Sequence, residues 1–92
     1  MYEILYAGHR LLTTDAVAEA LLQYAGELAS RGMVDTITVP IVEAGLATTC
    51  RLILGHGTSL GIVFQSNREA LLPGADEAFI ELGARLSSLR VS

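Results

Sequence analysis

Three short runs in the middle of the chain alternate apolar and polar residues, and this period of two constrains the fold most. They cover residues 36–41, 49–54 and 59–64. Successive side chains of a strand point to opposite faces, so each run gathers its apolar residues on one face of a sheet. These apolar sets are Ile37, Val39 and Ile41, then Cys50, Leu52 and Leu54, then Leu60, Ile62 and Phe64. The segment 34–65 is therefore predicted to form a three-stranded antiparallel meander.

Glycine-containing segments separate the three runs and set the predicted register. A two-residue turn at residues 44–45 pairs Val39 with Cys50 and Ile37 with Leu52. A three-residue loop at residues 56–58 pairs Leu54 with Leu60 and Leu52 with Ile62. Both choices keep the apolar sets on one face, whereas a slip of one residue would turn a whole set to the wrong side.

Pro40 lies inside the first run and has no N–H to donate to a strand ladder. We therefore expect residues 34–42 to form an edge strand with the proline nitrogen pointing outward. The same proline would hinder pairing of that edge with another chain.

A hairpin and a helix are predicted before the meander. The hairpin joins strands at residues 2–6 and 10–13 through a glycine-containing turn at 7–9. The helix starts at Thr14 or Asp15, either of which can cap it, and ends before Gly32. Its apolar stripe is Val17, Leu21, Tyr24 and Leu28.

A connection at residues 66–74 and a second helix at 75–89 are predicted after the meander. Acidic residues in the first turn and Arg90 near the end suit the helix dipole. The predicted stripe is Ala75, Phe79, Leu82, Leu86 and Leu89. The fold class is therefore α+β, in the order ββαβββα, with a single five-stranded antiparallel sheet and two helices packed mainly on one face. Residues 1–92 are expected to form one domain.

Composition narrows the classes of partner. The chain is 51% hydrophobic and 17% charged, which argues against disorder. Its net charge of −4 comes from scattered residues, without the basic footprint of a nucleic-acid binder. We expect no nucleic-acid partner, no membrane partner and no signal peptide, because no apolar run is long enough to span a bilayer and no basic segment precedes an apolar one. A cytoplasmic location is the expectation.

Residues with reactive side chains are few. Only His9, His56 and Cys50 could anchor nucleophile or metal chemistry, and a transition-metal site needs three or four converging ligands. Cys50 and His56 would lie roughly 20 Å apart along an extended strand. We therefore predict no catalytic, cofactor-binding or metal-binding residue and no cofactor. Cys50 is interpreted as a core residue, and the tyrosines at 2, 6 and 24 as packing residues.

The order of elements, with a helix between a hairpin and a meander, resembles the roadblock/LC7 and longin group of domains. The segment Gly57-Thr58-Ser59-Leu60-Gly61-Ile62-Val63-Phe64 is similar to the last strand of roadblock domains, entered from a glycine-containing turn. The sequence predicts no counterpart to the additional first helix that roadblock domains usually have. The resemblance implies a non-enzymatic platform that binds a partner such as a small GTPase.

The second face of the predicted sheet is mixed in polarity and has no further layer in the sequence to cover it. Thr38, Arg51, Ile53 and Val63 are the residues predicted to form an interface there. The leading hypothesis is an interaction domain, a homodimer or a module with another protein partner. The alternative is a small-molecule-binding protein or minor enzyme with a pocket near His9 or His56.

Overall fold

A computed structural model describes residues 1–57, 60–64 and 72–91, with backbone placement alone for most of 60–64. The elements are β1 (Tyr2–Tyr6), β2 (His9–Thr13), α1 (Asp15–Ser30), β3 (Val34–Glu43), β4 (Leu46–Gly55), β5 (Leu60–Phe64) and α2 (Ala75–Val91). The prediction of an α+β domain with two helices and an antiparallel sheet is confirmed. Within the described ranges, neither helix is long and apolar enough to cross a membrane.

The β3–β4 hairpin is the longest ladder of the sheet, with ten residues in each strand. Its turn residues, Ala44 at φ 52° and Gly45 at φ 78°, are both left-handed. Two left-handed residues are typical of a type I′ turn, whose twist matches that of the flanking strands. The predicted pairs Val39 with Cys50 and Ile37 with Leu52 are confirmed.

The predicted pairing of the third alternating run with β4 is wrong. That run, as β5, lies beside β1 with Ile62 opposite Ile4, and the sheet order is β4-β3-β2-β1-β5. Alternation determines which face of a strand is apolar but not which strand lies next to it, so the pattern fits either neighbour. Residues 58–59 of the predicted loop and 65–71 of the predicted connection lie outside the described residues.

The prediction that residues 34–42 form an edge strand is also wrong, because β3 lies between β4 and β2. Contact with β2 is short: only Leu12 and Val42 are paired, and the rest of β3 runs past the end of β2. There the Thr13 hydroxyl donates to the Pro40 carbonyl at 2.9 Å, so the main chain of Pro40 faces away from β4. The proline is accommodated because its missing N–H lies where no strand continues beside it.

Helix α1 has the predicted ends. The Thr14 hydroxyl accepts a hydrogen bond from the Val17 N–H at 3.2 Å, and Gly32 at φ 67° ends the helix. The Met33 N–H donates to the Leu28 carbonyl at 2.9 Å, which satisfies a carbonyl of the last turn. All four residues of the predicted stripe are buried: Val17, Leu21, Tyr24 and Leu28.

Helix α2 contacts α1 and β3, and it extends to Val91, two residues past the predicted end. Its buried side chains are Ala78, Leu82, Leu86 and Leu89. Phe79, predicted to be in the stripe, is 50% exposed. Positions three and four residues before Leu82 both fit a helical stripe, and packing of α2 against α1 selects the smaller residue at 78.

Gly55 lies where β4 ends against the loop after α1. Its φ is 120°, and a Cβ built there would lie 2.2 Å from the Met33 carbonyl oxygen. The His56 N–H donates to the same oxygen at 3.0 Å, so this oxygen cannot move away freely. A side chain at position 55 would therefore be both strained and obstructed.

We expect Gly55→Ala to lower the free energy of unfolding by about 3 kcal/mol or more, from backbone strain and overpacking. Gly57→Ala is the matched control: φ there is 85°, but nothing lies within 4 Å of the added Cβ. The control should cost only the left-handed penalty, about 1–2 kcal/mol. Urea unfolding of both variants measures the difference, and equal losses would show that the contact with Met33 is unimportant.

Candidate interaction surface

The sheet has one face turned away from α1, which we call the open face. The strand register defines this face. Two residues paired across neighbouring strands point to the same side, and so do residues two positions apart along one strand. Its members with described side chains, apart from the buried Pro40, are Glu3, Leu5, Arg10, Leu12, Val34, Thr36, Thr38, Val42, Ala47, Thr49, Arg51 and Ile53. Most of them are exposed, so this face is available for contact with another molecule.

Three of the four predicted interface residues lie together on the open face. Thr38 is directly opposite Arg51, and Ile53 follows Arg51 on the same side of β4. Val63 lies elsewhere: it belongs to β5, at the opposite edge of the sheet, and pairs with Glu3 of β1. The structure therefore groups Thr38, Arg51 and Ile53 and separates Val63 from them.

The grouped residues combine an apolar side chain with a cation. The Ile53 side chain is 52% exposed. The Arg51 guanidinium is exposed and has no hydrogen-bond or ion-pair partner among the described residues. At the other end of the open face, by contrast, Arg10 lies 3.4 Å from a carboxylate oxygen of Glu3. An unpaired guanidinium beside an exposed isoleucine is a suitable contact for a protein partner.

Tyr6 makes a contact that the sequence did not reveal. Its hydroxyl accepts a hydrogen bond from the Ile53 N–H at 2.9 Å and donates to the Ile53 carbonyl at 3.1 Å. In a flat sheet β1 and β4 would be three strand spacings apart, roughly 14 Å. The sheet must therefore curl so that the end of β1 approaches the free edge of β4. No local pattern marks a tyrosine for this role, so the sequence predicts only a packing role for Tyr6.

The residues considered for chemistry are spread over the fold. His9 begins β2 and His56 follows β4, and both are exposed. Cys50 is half-buried on the core-facing side of β4, with its sulfur 3.8 Å from the Arg51 carbonyl oxygen. Within the described ranges, no three His, Cys, Asp or Glu residues form a group that could hold a metal ion.

Two cavities lie away from both histidines. One, of about 730 Å³, lies between the starts of the two helices and is lined by Asp15, Asp76 and Glu77 among others. Carboxylates are favourable at helix N-termini, so these acids are explained by the helices themselves. The other, of about 470 Å³, is a shallow groove where Met33 and Val34 meet the last turns of α2. Neither cavity is lined by His9 or His56, so neither supports the predicted pocket near them.

A polar network borders the shallow groove and links three elements. Asp35 of β3 accepts hydrogen bonds from the Tyr24 hydroxyl of α1 at 2.5 Å and from Arg85 of α2 at 2.8 Å. Arg85 also donates to the Thr36 carbonyl at 3.2 Å and to Glu81 at 2.7 Å. This network holds α2 against the side of β3.

The network shifts the pKa values of its members. Burial, followed by the hydrogen bond to Asp35, raises the pKa of Tyr24 to about 12. The hydrogen bond from Tyr24 is the main cause that lowers the pKa of Asp35, with Arg85 adding to it and burial opposing it. The folded protein thus favours a neutral tyrosine beside an ionised aspartate.

We expect Tyr24→Phe to lower the free energy of unfolding at pH 7 by about 1 kcal/mol, through loss of the hydrogen bond. Because the folded pKa of Tyr24 is raised from 10.0 to about 12, its contribution is complete below pH 10 and is lost as the pH rises to 12. The difference between the wild type and Tyr24→Phe should therefore shrink over that range. Chemical denaturation at several pH values measures it, and a constant difference would show that Tyr24 titrates alike in both states.

Comparison with protein-family models, with curated proteins and with solved structures finds no match. The similarity of residues 57–64 to roadblock domains therefore stays a prediction.

Proposed function

We propose that this protein is a non-enzymatic interaction domain that assembles as a homodimer in the cytoplasm, with its open face at the contact. The observation that carries the proposal is the group of Thr38, Arg51 and Ile53, which are adjacent, exposed and partly apolar. Large apolar side chains exposed on a sheet face are typical of contact surfaces. The same surface would suit the platform role that the resemblance to roadblock domains implies.

Charge supports a second copy as the partner. The chain carries a net charge of −4, whereas the centre of the proposed contact carries the cation Arg51, which has no ion-pair partner in the described part of the chain. A second acidic chain can supply carboxylates to this guanidinium, and arginine is enriched at contact residues that contribute most to binding. Val63 is left out of the proposed centre because β5 lies at the opposite edge of the sheet.

Sedimentation equilibrium of the wild type should show a dimer, and Ile53→Asp should raise its dissociation constant about tenfold or more, which corresponds to about 1.4 kcal/mol. The aspartate would place a charge in the apolar part of the contact without disturbing the core, because Ile53 is 52% exposed. Ile80→Asp is the matched control: Ile80 is 69% exposed and lies on α2.

The control should leave the dissociation constant unchanged. A wild type that stays monomeric at every concentration would refute the dimer, and equal effects of Ile53→Asp and Ile80→Asp would refute the position of the contact.

A further inference from the structure

The free edge of β4 can be assigned residue by residue. In an antiparallel ladder, alternate residues direct both backbone groups toward the neighbouring strand. The N–H and carbonyl of Ile53 both bond to Tyr6, so Ile53 faces away from β3. Pro40, opposite Thr49, also faces away from the β3–β4 ladder, since its carbonyl bonds to Thr13. The odd-numbered residues of β4 therefore point outward.

The exposed edge of β3 is hindered from pairing with another strand. Beyond the end of β2, the outward carbonyls of Thr36 and Pro40 on β3 accept from Arg85 and Thr13, and Pro40 has no N–H. On β4, Tyr6 bonds both outward groups of Ile53. The rest of the outward β4 edge consists of Ala47, Thr49 and Arg51, for whose backbone groups the described residues offer only the weak contact of the Cys50 sulfur with the Arg51 carbonyl at 3.8 Å.

We propose that a second copy of this chain pairs with this edge, β4 against β4 in antiparallel orientation, with the twofold axis at Thr49. The inference rests on the proposed homodimer and specifies how its strands meet. Thr49 then pairs with Thr49 of the second copy, and Ala47 pairs with Arg51 on either side. All three free residues of each copy are used, giving about six hydrogen bonds between the chains.

Tyr6 selects this register. An axis at Cys50 would place Ala47 opposite Ile53, whose backbone groups already bond to Tyr6. An axis at Thr48 would place Arg51 opposite Gly45, inside the turn of the hairpin. Only the axis at Thr49 pairs the outward residues 47, 49 and 51 of one copy entirely with the same three residues of the other.

The edge fits a second copy because it is self-complementary, as a twofold contact requires. Residues 46–51 contain no proline or lysine, and the continuous register shows no bulge, so the charge of Arg51 is the one usual device against edge pairing that is present there. Pairing joins the open faces of the two copies into one surface with Arg51 and Ile53 of both. The two Arg51 residues would lie four positions apart along the strands, roughly 13 Å, which limits their repulsion.

Disulfide trapping tests the register directly. With the axis at Thr49, Cys50 lies opposite Thr48 of the second copy at a pair without hydrogen bonds, where side chains are closest. Under mild oxidation Thr48→Cys should give a disulfide-linked dimer joined between positions 48 and 50, identified by peptide mapping. The wild type, with Cys50 alone, should give little, as should Ser87→Cys, an exposed control on α2. Efficient bridging of Cys50 to Cys50 in the wild type, or no bridge in a dimeric Thr48→Cys, would overturn the register.

Removal of the central donor provides a second measurement. In Thr49→Pro the lost N–H points away from β3, so the hairpin ladder is kept while the axis pair is broken. Sedimentation equilibrium should show a dissociation constant at least tenfold higher than that of the wild type, while Thr49→Val, which keeps the N–H, should stay close to it. Circular dichroism confirms folding of both variants, and if Thr49→Pro does not fold, the trapping result alone decides.

The two proposals can fail separately. A monomeric wild type would overturn the homodimer and the edge pairing together. A dimer that survives Thr49→Pro but is weakened by Ile53→Asp would overturn the edge pairing and keep the open-face contact.

Discussion

Backbone N–H and carbonyl groups at strand edges must find partners, and this constraint shapes the domain. Three of its five strands have only five residues, while β3 and β4 have ten, and β3 is paired with β2 at a single residue pair. Long edges are therefore left without a neighbouring strand. Side chains supply the missing partners: Thr13 and Arg85 along β3, and Tyr6 along β4.

The curl of the sheet follows from the same constraint. Tyr6 can reach Ile53 only if the sheet curves so that β1 approaches the far edge of β4. Helix α1 packs inside this curve against the inner face of the β3–β4 hairpin. Leu52 and Leu54 are fully buried as a result. Helix α2 packs against α1 and is held to β3 by Asp35 and Arg85. The Tyr6 hydroxyl and the ion pair of Asp35 with Arg85 thus link elements that are distant along the chain.

The contact surface is what this arrangement leaves exposed. The helices cover one face of the hairpin, so the side chains of Thr38, Arg51 and Ile53 remain on the other. Tyr6 bonds to β4 only at Ile53, so the outer edge of the strand stays open over the residues that precede Ile53. The open face and the open edge meet at Arg51, so the proposed strand pairing would bring the open faces of two copies side by side.

The sequence by itself determined the elements, because each depends on local periodicity and turn chemistry. Alternation located the apolar faces of the strands, the Ala44-Gly45 turn set the register of Val39 with Cys50, and the stripe of α1 was predicted residue by residue. It also placed Thr38 and Arg51 on one surface, since cross-strand pairs follow from that register.

Only the tertiary structure decided which strands are neighbours. β5 pairs with β1 rather than β4, Val63 is separated from the other interface residues, and Pro40 lies in an inner strand. The apolar face of one strand can lie beside that of any other strand, so periodicity cannot decide which strands are neighbours. The bond of Tyr6 to Ile53, and with it the free length of the β4 edge, depends on the curvature of the whole sheet, which no stretch of sequence encodes locally.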